Sequence, residues 1–201
     1  MPEIVQTDDA CTLAVPPIRL NFRWDGARWA HQIEADERVV AASVEWDSAL
    51  GDPTRVVSPV FQQLSVQDEG RFSRALLVGQ WGPHHCSAVF TIGRNGDDVA
   101  IEADVAVRTR GELAALASTY SVDLSSSNLT EASPETIEWA LGESPFGRLR
   151  FEPGDSLGMR VTLAEAGRRM TQVQADAPIQ SKTSTHRLLY RWRWLPEPTN
   201  P

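Results

Sequence analysis

The feature that most constrains the fold of this chain is a period-two alternation of apolar and polar residues. Ile18, Leu20, Phe22 and Trp24 alternate with polar side chains, for example. Because successive side chains of a strand point to opposite faces of a sheet, this pattern is typical of a strand with one buried face. Similar runs recur near residues 29–33, 38–46, 55–66, 72–81, 84–92, 99–110, 136–141, 147–153, 158–164, 169–175 and 186–195. The chain is therefore predicted to form about a dozen short strands.

Turn residues separate these runs and indicate antiparallel hairpins. Asp25-Gly26 lies between two alternating segments and predicts a type I′ turn, in which both central residues have positive φ. Asn95-Gly96 predicts a second hairpin, and Pro59 indicates an edge position or a bulge. Residues 111–119 read either as one short helix or as the start of a strand. The predicted fold is all-β, a large antiparallel sandwich of two sheets with at most one short helix.

The chain length and its termini suggest a simple organisation. With 201 residues, the chain is long enough for one domain with a sizeable core. We expect one β-sandwich domain at 17–195, an N-terminal tail at 1–16 and a C-terminal tail at 196–201. The first residues lack the basic start and apolar run of a secretory signal, and no apolar run reaches the ~20 residues that span a bilayer. The expectation is a cytoplasmic protein that does not enter membranes.

Charge and cysteine content exclude several classes of function. The formal net charge of −8 argues against nucleic acid and anionic membranes as partners, because both are bound mainly through basic surface. Lys182 is the single lysine among the basic residues, a bias expected of a bacterial chain from a GC-rich genome. Cys11 and Cys86 are too few for a disulfide scaffold, so Cys86 is interpreted as a buried thiol.

The segment QWGPHHCSAVF, residues 80–90, carries two of the four histidines and is the leading candidate site. If it forms a hairpin corner, His84 and Cys86 share one face of the second strand and His85 lies on the other. A zinc site needs three or four ligands, and no further ligand motif accompanies this pair, so no metal is predicted. Phosphate-binding and dinucleotide motifs are absent, so no cofactor is predicted. Trp81, His84 and His85 are the candidate ligand-binding residues here.

The C-terminal segment THRLLYRWRWL, residues 185–195, places aromatic side chains on one face and arginines on the other. An aromatic row beside arginines would suit an anionic sugar or a single-stranded nucleic acid. The pattern is also that of an ordinary strand, with its aromatic residues in the core and its arginines paired with acids. The second interpretation is preferred, but Arg191 and Arg193 are kept as candidate ligand-binding residues.

Three functional hypotheses follow, and the sequence does not decide whether the protein is an enzyme. The first is a non-enzymatic binding module for a carbohydrate-like ligand, since seven tryptophans provide indole rings that stack on sugars. The second is a scaffold or a subunit of a homo-oligomer, with a protein partner at exposed sheet edges. The third is a sugar epimerase or isomerase in which a histidine and a carboxylate such as Glu45 or Glu138 act as acid and base.

Overall fold

The computed structural model describes residues 2–44, 52–123, 129–141, 147–155, 158–166, 171–180 and 183–196. These residues form 17 strands and no helix, and the strands lie in two sheets. All neighbouring strands are antiparallel except for one two-residue parallel pairing. The prediction of an all-β, two-sheet sandwich is confirmed, with more strands than the dozen expected.

The first sheet has nine strands. They are β1 (Glu3–Gln6), β2 (Ala10–Val15), β3 (Ile18–Trp24), β4 (Trp29–Ala35), β5 (Arg38–Ser43), β6 (Arg55–Val56), β11 (Ala115–Val122), β15 (Arg160–Ala166) and β16 (Thr171–Ala177). Their spatial order is β1-β2-β3-β4-β5-β11-β16-β15, and β6 pairs in parallel with β11. The predicted strand at 38–46 therefore begins as expected, while positions 45 and 46 lie outside the described residues.

The second sheet has eight strands. They are β7 (Gln63–Asp68), β8 (Phe72–Trp81), β9 (His84–Asn95), β10 (Asp98–Thr109), β12 (Leu129–Ala132), β13 (Ile137–Ala140), β14 (Arg148–Pro153) and β17 (Thr185–Leu195). Their order is β12-β13-β14-β17-β10-β9-β8-β7. The long strands β8, β9, β10 and β17 therefore lie side by side, and they carry both segments that the sequence marked as candidate sites.

The core lies between the two sheets and is built from alternate residues of each strand. Phe22 of the first sheet meets Phe90 of the second with ring centroids 5.5 Å apart, edge to face. Aromatic pairs in this geometry add to the stabilisation from apolar burial. The outward residues of the same strands are mostly polar or charged, so each sheet has one dry and one wet face, as the alternation predicts.

The N-terminal segment is part of this core, which corrects the predicted tail at 1–16. Residues 3–6 and 10–15 form β1 and β2, and Cys11 and Leu13 are fully buried. Leu13 pairs with Leu20 of β3 across an antiparallel ladder. The alternation of apolar residues in β2 is short, and its inner face is buried because the strand joins the first sheet and packs against β8 and β9 of the second. At the other end, Pro196 has no regular structure and residues 197–201 lie outside the described part.

The Asp25-Gly26 hairpin is present, but its turn is not the predicted type I′. Trp24 pairs with Trp29, so the loop has four residues, and Gly26 alone has positive φ (99°). The Asp25 carboxylate accepts the backbone N–H groups of Ala27 (2.8 Å) and Arg28 (2.9 Å). This local bonding by an aspartate fixes the loop without a second residue of positive φ.

The segment at 111–119 contributes to a strand rather than a helix. β11 begins at Ala115 and pairs with β16 on one side and β5 on the other. Its alanines and leucine favour helix intrinsically, but a position in the middle of a sheet overrides that preference. Among the described residues no helix is long and apolar enough to cross a lipid bilayer.

The chain crosses between the two sheets at 57–62, where the sequence predicted one continuous strand over 55–66. Phe61 is buried, and its carbonyl accepts the Trp29 N–H of the first sheet (2.8 Å). The Gln62 N–H donates to the Val78 carbonyl of the second sheet (2.9 Å). Pro59 therefore lies in a connection between sheets and not in a strand, as suits a residue without a backbone donor.

Candidate functional site

The segment at 80–90 is a hairpin corner between β8 and β9, as predicted. Trp81 pairs with His84, so Gly82 and Pro83 form a two-residue loop. Gly82 has φ of 54°, and the proline ring holds the next φ negative. Positive φ at the first central position alone is the geometry of a type II′ turn, which matches the twist of the flanking strands.

His84 is fully buried on the inner face of the second sheet. Its Nε2 lies 2.6 Å from the Pro53 carbonyl, and because a carbonyl only accepts, Nε2 carries the hydrogen and donates. The ring stacks on Trp81, with centroids 5.6 Å apart and planes 23° apart. Its Nδ1 is buried and has no hydrogen-bond partner among the described residues. The structure thus places Trp81 and His84 together, in a packed corner rather than on an open surface.

Cys86 shares the inner face with His84, as the alternation predicted. It is buried, and burial raises the pKa of its thiol to about 11. Cys11 is also a buried free thiol. Within the described part of the chain, no three histidine, cysteine, aspartate or glutamate side chains are grouped so that they could hold a metal ion.

His85 lies on the opposite, outer face of the same sheet. It pairs with Gln80 of β8 on one side and with Arg108 of β10 on the other. Arg108 in turn pairs with Thr185 of β17. All four residues are exposed, and they form one row across four neighbouring strands. Sequence reasoning did not find these two partners, because Arg108 is placed by the register of the β9–β10 hairpin and Thr185 by the pairing of β17 with β10.

This row crosses a shallow hollow of about 530 Å³ in the outer face, which we call the polar hollow. Amide, hydroxyl and basic side chains line it around a floor whose exposed surface is mostly apolar. The lining side chains are those of Gln62, Gln63, Val78, Gln80, His85, Ser87, Ala106, Arg108 and Thr185. No carboxylate is among the described residues that line it. By contrast, a hollow of about 550 Å³ on the outer face of the first sheet includes Glu3 and Glu34.

One wall of the polar hollow is fixed by Gln62. Its Oε1 accepts the backbone N–H of Gln80 (2.7 Å), and its Nε2 donates to the carbonyl of the same residue (3.0 Å). The Gln62 side chain thus continues the hydrogen-bond ladder between β7 and β8 to the residue that precedes β7. This approach needs a glycine at 79, because a Cβ there would lie 2.3 Å from the Val60 carbonyl oxygen.

Arg191 and Arg193 lie on the same outer face but far from the polar hollow. Arg191 pairs with Glu102, six residues along β10 from Arg108, a separation of about 20 Å at ~3.3 Å per residue. Its guanidinium is 2.8 Å from Asp155 and 3.6 Å from Glu152. Arg193 contacts Asp98 and lies 3.5 Å from Glu152. Both arginines are thus paired with acids and are not brought together with Trp81, His84 or His85.

The aromatic row of β17 lies in the core, as the preferred interpretation of the C-terminal segment predicted. Tyr190 and Trp192 are 2% exposed, and Trp192 stacks on Phe151 with centroids 4.3 Å apart. The Trp139 ring also stacks on Trp192, with the two centroids 6.2 Å apart. These rings therefore form no exposed platform for a sugar or a base.

A hydrogen-bonded chain of three side chains connects the two sheets, and sequence reasoning missed it. His31 Nε2 lies 2.7 Å from the Tyr120 hydroxyl, which lies 2.8 Å from the Tyr190 hydroxyl. Burial lowers the pKa of His31 to about 3 and raises that of Tyr190 to about 12. The alternation placed His31 and Tyr190 in phase with apolar neighbours, but their approach depends on how the sheets stack.

The carboxylates proposed for acid–base chemistry do not meet a histidine in the described structure. Glu138 is 4% exposed, and its carboxylate lies 2.8 Å from Arg148 and 2.7 Å from Arg150. Two guanidinium groups compensate its burial, which is a structural role. Glu45 lies outside the described residues.

Comparison with known proteins leaves the assignment of function to this geometry. No protein-family model matches the chain, and no curated protein matches its sequence. The polar hollow is the feature of the described surface in which a predicted site residue, His85, meets other exposed polar groups around a concavity. It is therefore the candidate functional site.

Proposed function

We propose that the protein is a non-enzymatic β-sandwich binding module and that the polar hollow binds a carbohydrate-like ligand. The observation that carries this proposal is the lining itself, in which amides and hydroxyls from four strands and an adjoining loop surround a space of about 530 Å³. Small-molecule sites commonly fall between about 300 and 1,000 Å³. The hollow is therefore large enough for one or two sugar rings.

The chemistry of the lining favours a ligand rich in hydroxyl groups. A glutamine amide offers both donors and acceptors, and the hydroxyls of Ser87 and Thr185 do the same, so each can meet a sugar hydroxyl in either role. Val78, which is 46% exposed, and Ala106 provide an apolar floor for the C–H face of a sugar ring. Because Trp81 packs on His84 at the inner face, binding would depend on hydrogen bonds more than on aromatic stacking.

Blocking the hollow tests this proposal. Ala106 lines the hollow from near the end of β10, so Ala106→Phe should fill it without removing a polar group. Ala100 lies six residues earlier on the same strand and the same face, outside the hollow, so Ala100→Phe is a matched control. In calorimetric titrations with a panel of oligosaccharides, we expect Ala106→Phe to weaken the binding of the active sugar at least tenfold and Ala100→Phe to leave it unchanged.

Changes in the backbone amide NMR signals on addition of a sugar locate the binding site independently of the variants. An active sugar should shift the signals of Gln80, His85, Arg108 and Thr185. If no sugar of the panel binds, or if the shifts lie elsewhere, the proposal is wrong. Melting temperatures of both phenylalanine variants identify any loss of binding that comes from unfolding.

A second candidate function is that of a subunit in a homo-oligomer, with β7 as the contact. Within the described residues β7 pairs with β8 alone, in an uninterrupted register. Residues 63–67 carry no charge and no proline, the devices that usually protect an edge strand, whereas the edge strands β12 and β15 have shifted registers. Sedimentation of the protein at high concentration tests this candidate, and a monomer would contradict it.

A further inference from the structure

We infer that the ligand of the polar hollow carries a carboxylate, as a uronic-acid sugar does, and that Arg108 and His85 bind this group. The inference rests on the proposed function and specifies its ligand class. It depends on the charge of Arg108, which lines the hollow and has no carboxylate partner among the described residues.

Arg108 differs from the other arginines on the outer face of the second sheet. Each of those is within 4.0 Å of a carboxylate; they are Arg74, Arg148, Arg150, Arg187, Arg191 and Arg193. Arg108 forms no ion pair with any described residue, although acids outnumber basic residues by 27 to 19 in the chain. In a protein of net charge −8, an uncompensated cation within a concave surface attracts anions locally.

The neighbours of Arg108 leave it available. His85 and Thr185 lie directly opposite it on the two adjacent strands. The nearest acid on the same face of β10 is Asp104, four residues away, and its carboxylate is held by Arg187 through Nε at 2.6 Å and through Nη2. The negative charge on this strand is thus already paired, while Arg108 faces the hollow.

The geometry of the two side chains suits a carboxylate better than a phosphate. A guanidinium group binds a carboxylate through two parallel hydrogen bonds, and an imidazole N–H can donate a third. Phosphate sites usually add several cations or the N-terminus of a helix, and the described part of the chain has no helix. The Gln63 amide and the Ser87 and Thr185 hydroxyls then remain for the ring hydroxyls, because the Gln62 amide is bonded to the Gln80 backbone.

The test compares an acidic sugar with its neutral ester. Trigalacturonate and its methyl ester are titrated by calorimetry into the wild type, Arg108→Gln, His85→Gln and a control, Arg23→Gln. Arg23 is exposed on the outer face of the other sheet, so the control changes net charge equally without touching the hollow. We expect the wild type to bind the acid at least tenfold more tightly than the ester. Arg108→Gln should abolish this preference, His85→Gln should reduce it, and Arg23→Gln should retain it.

The outcomes separate this inference from the proposed function. If acid and ester bind equally and Ala106→Phe still blocks both, the hollow binds sugars but the carboxylate assignment is wrong. If no sugar of any kind binds, both proposals fail. If a glutamate-rich peptide binds more tightly than trigalacturonate, the ligand class is wrong. Circular dichroism melts confirm that each variant is folded.

Discussion

His31 shows how burial sets the chemistry of a single residue in this protein. Its ring packs between Phe90 and Tyr120, with centroids 4.8 and 5.3 Å away, and its Nε2 meets the Tyr120 hydroxyl. A charged imidazole would lose its hydration there, so burial lowers its pKa from the ordinary 6.5 to about 3. His31 is therefore neutral in the folded protein at physiological pH.

We predict that His31 makes the protein less stable in mild acid. Between pH 6.5 and pH 3 the unfolded chain binds a proton at this residue that the folded chain does not, so stability falls as the pH decreases. From pH 7 to pH 5 the expected loss from this residue is about 2 kcal/mol. Urea unfolding at the two pH values measures it.

The variant His31→Gln should show a smaller drop in the free energy of unfolding between the same pH values. His85→Gln is the matched control, because His85 is exposed on an outer face, and it should keep the wild-type drop. An equal drop in His31→Gln and in the wild type would show that other groups cause the acid sensitivity.

The side chains of the segment at 80–90 divide between the two faces of the sheet, as the alternation in the sequence predicted. Trp81 and His84 face inward and His85 faces outward, because adjacent side chains of a strand point to opposite faces. Asn95-Gly96 predicted the hairpin of β9 and β10, but that His85 lies opposite Arg108 depends on its register, in which Asn95 pairs with Asp98. Arg191 was predicted on the correct face, yet the register places it about 20 Å from His85.

At the scale of elements, the close approach of the 60–62 segment to β8 shapes the wall of the polar hollow. A Cβ at position 79 would lie 2.3 Å from Val60 O, 2.7 Å from Gln62 Oε1 and 2.8 Å from Phe61 Cα. Two of these atoms belong to the backbone and cannot rotate away. Gly79 is therefore required by the packing of one element against another, and not by its own φ.

We predict that Gly79→Ala destabilises the protein by about 1–3 kcal/mol, the usual cost of overpacking. The added methyl group should also displace Gln62 from Gln80 and weaken sugar binding in the polar hollow. The control is Gly111→Ala, where the nearest atom to a new Cβ is 3.6 Å away, and its stability should change little. Thermal unfolding of both variants measures the difference, and equal melting temperatures would contradict the prediction.

At the scale of the whole molecule, the core includes strands from both ends of the chain. β2 packs against the second sheet near β9, and β17 lies in the middle of that sheet. Leu13 is fully buried, whereas Val5 on the edge strand β1 is 54% exposed. The N-terminal residues thus stabilise the fold through packing between the sheets.

We predict that Leu13→Ala lowers the free energy of unfolding by about 2–5 kcal/mol, as truncation of a buried leucine usually does. Val5→Ala, at an exposed position, should change it by less than about 0.5 kcal/mol. Denaturant unfolding of the two variants measures both values. A small effect of Leu13→Ala would mean that β2 is dispensable for the core.

The sequence by itself determined the all-β class, the phase of most strands and the corner at Gly82-Pro83, because alternation and turn chemistry are local and act within a few residues. It also indicated that the aromatic residues of β17 are buried. The tertiary structure alone decided the place of β2 in the core, the His31–Tyr120–Tyr190 chain and the meeting of Arg108 with Thr185 of β17. These features depend on strand order and on the stacking of the sheets, which are set by the summed burial and pairing of residues distant in sequence, and no local pattern encodes that sum.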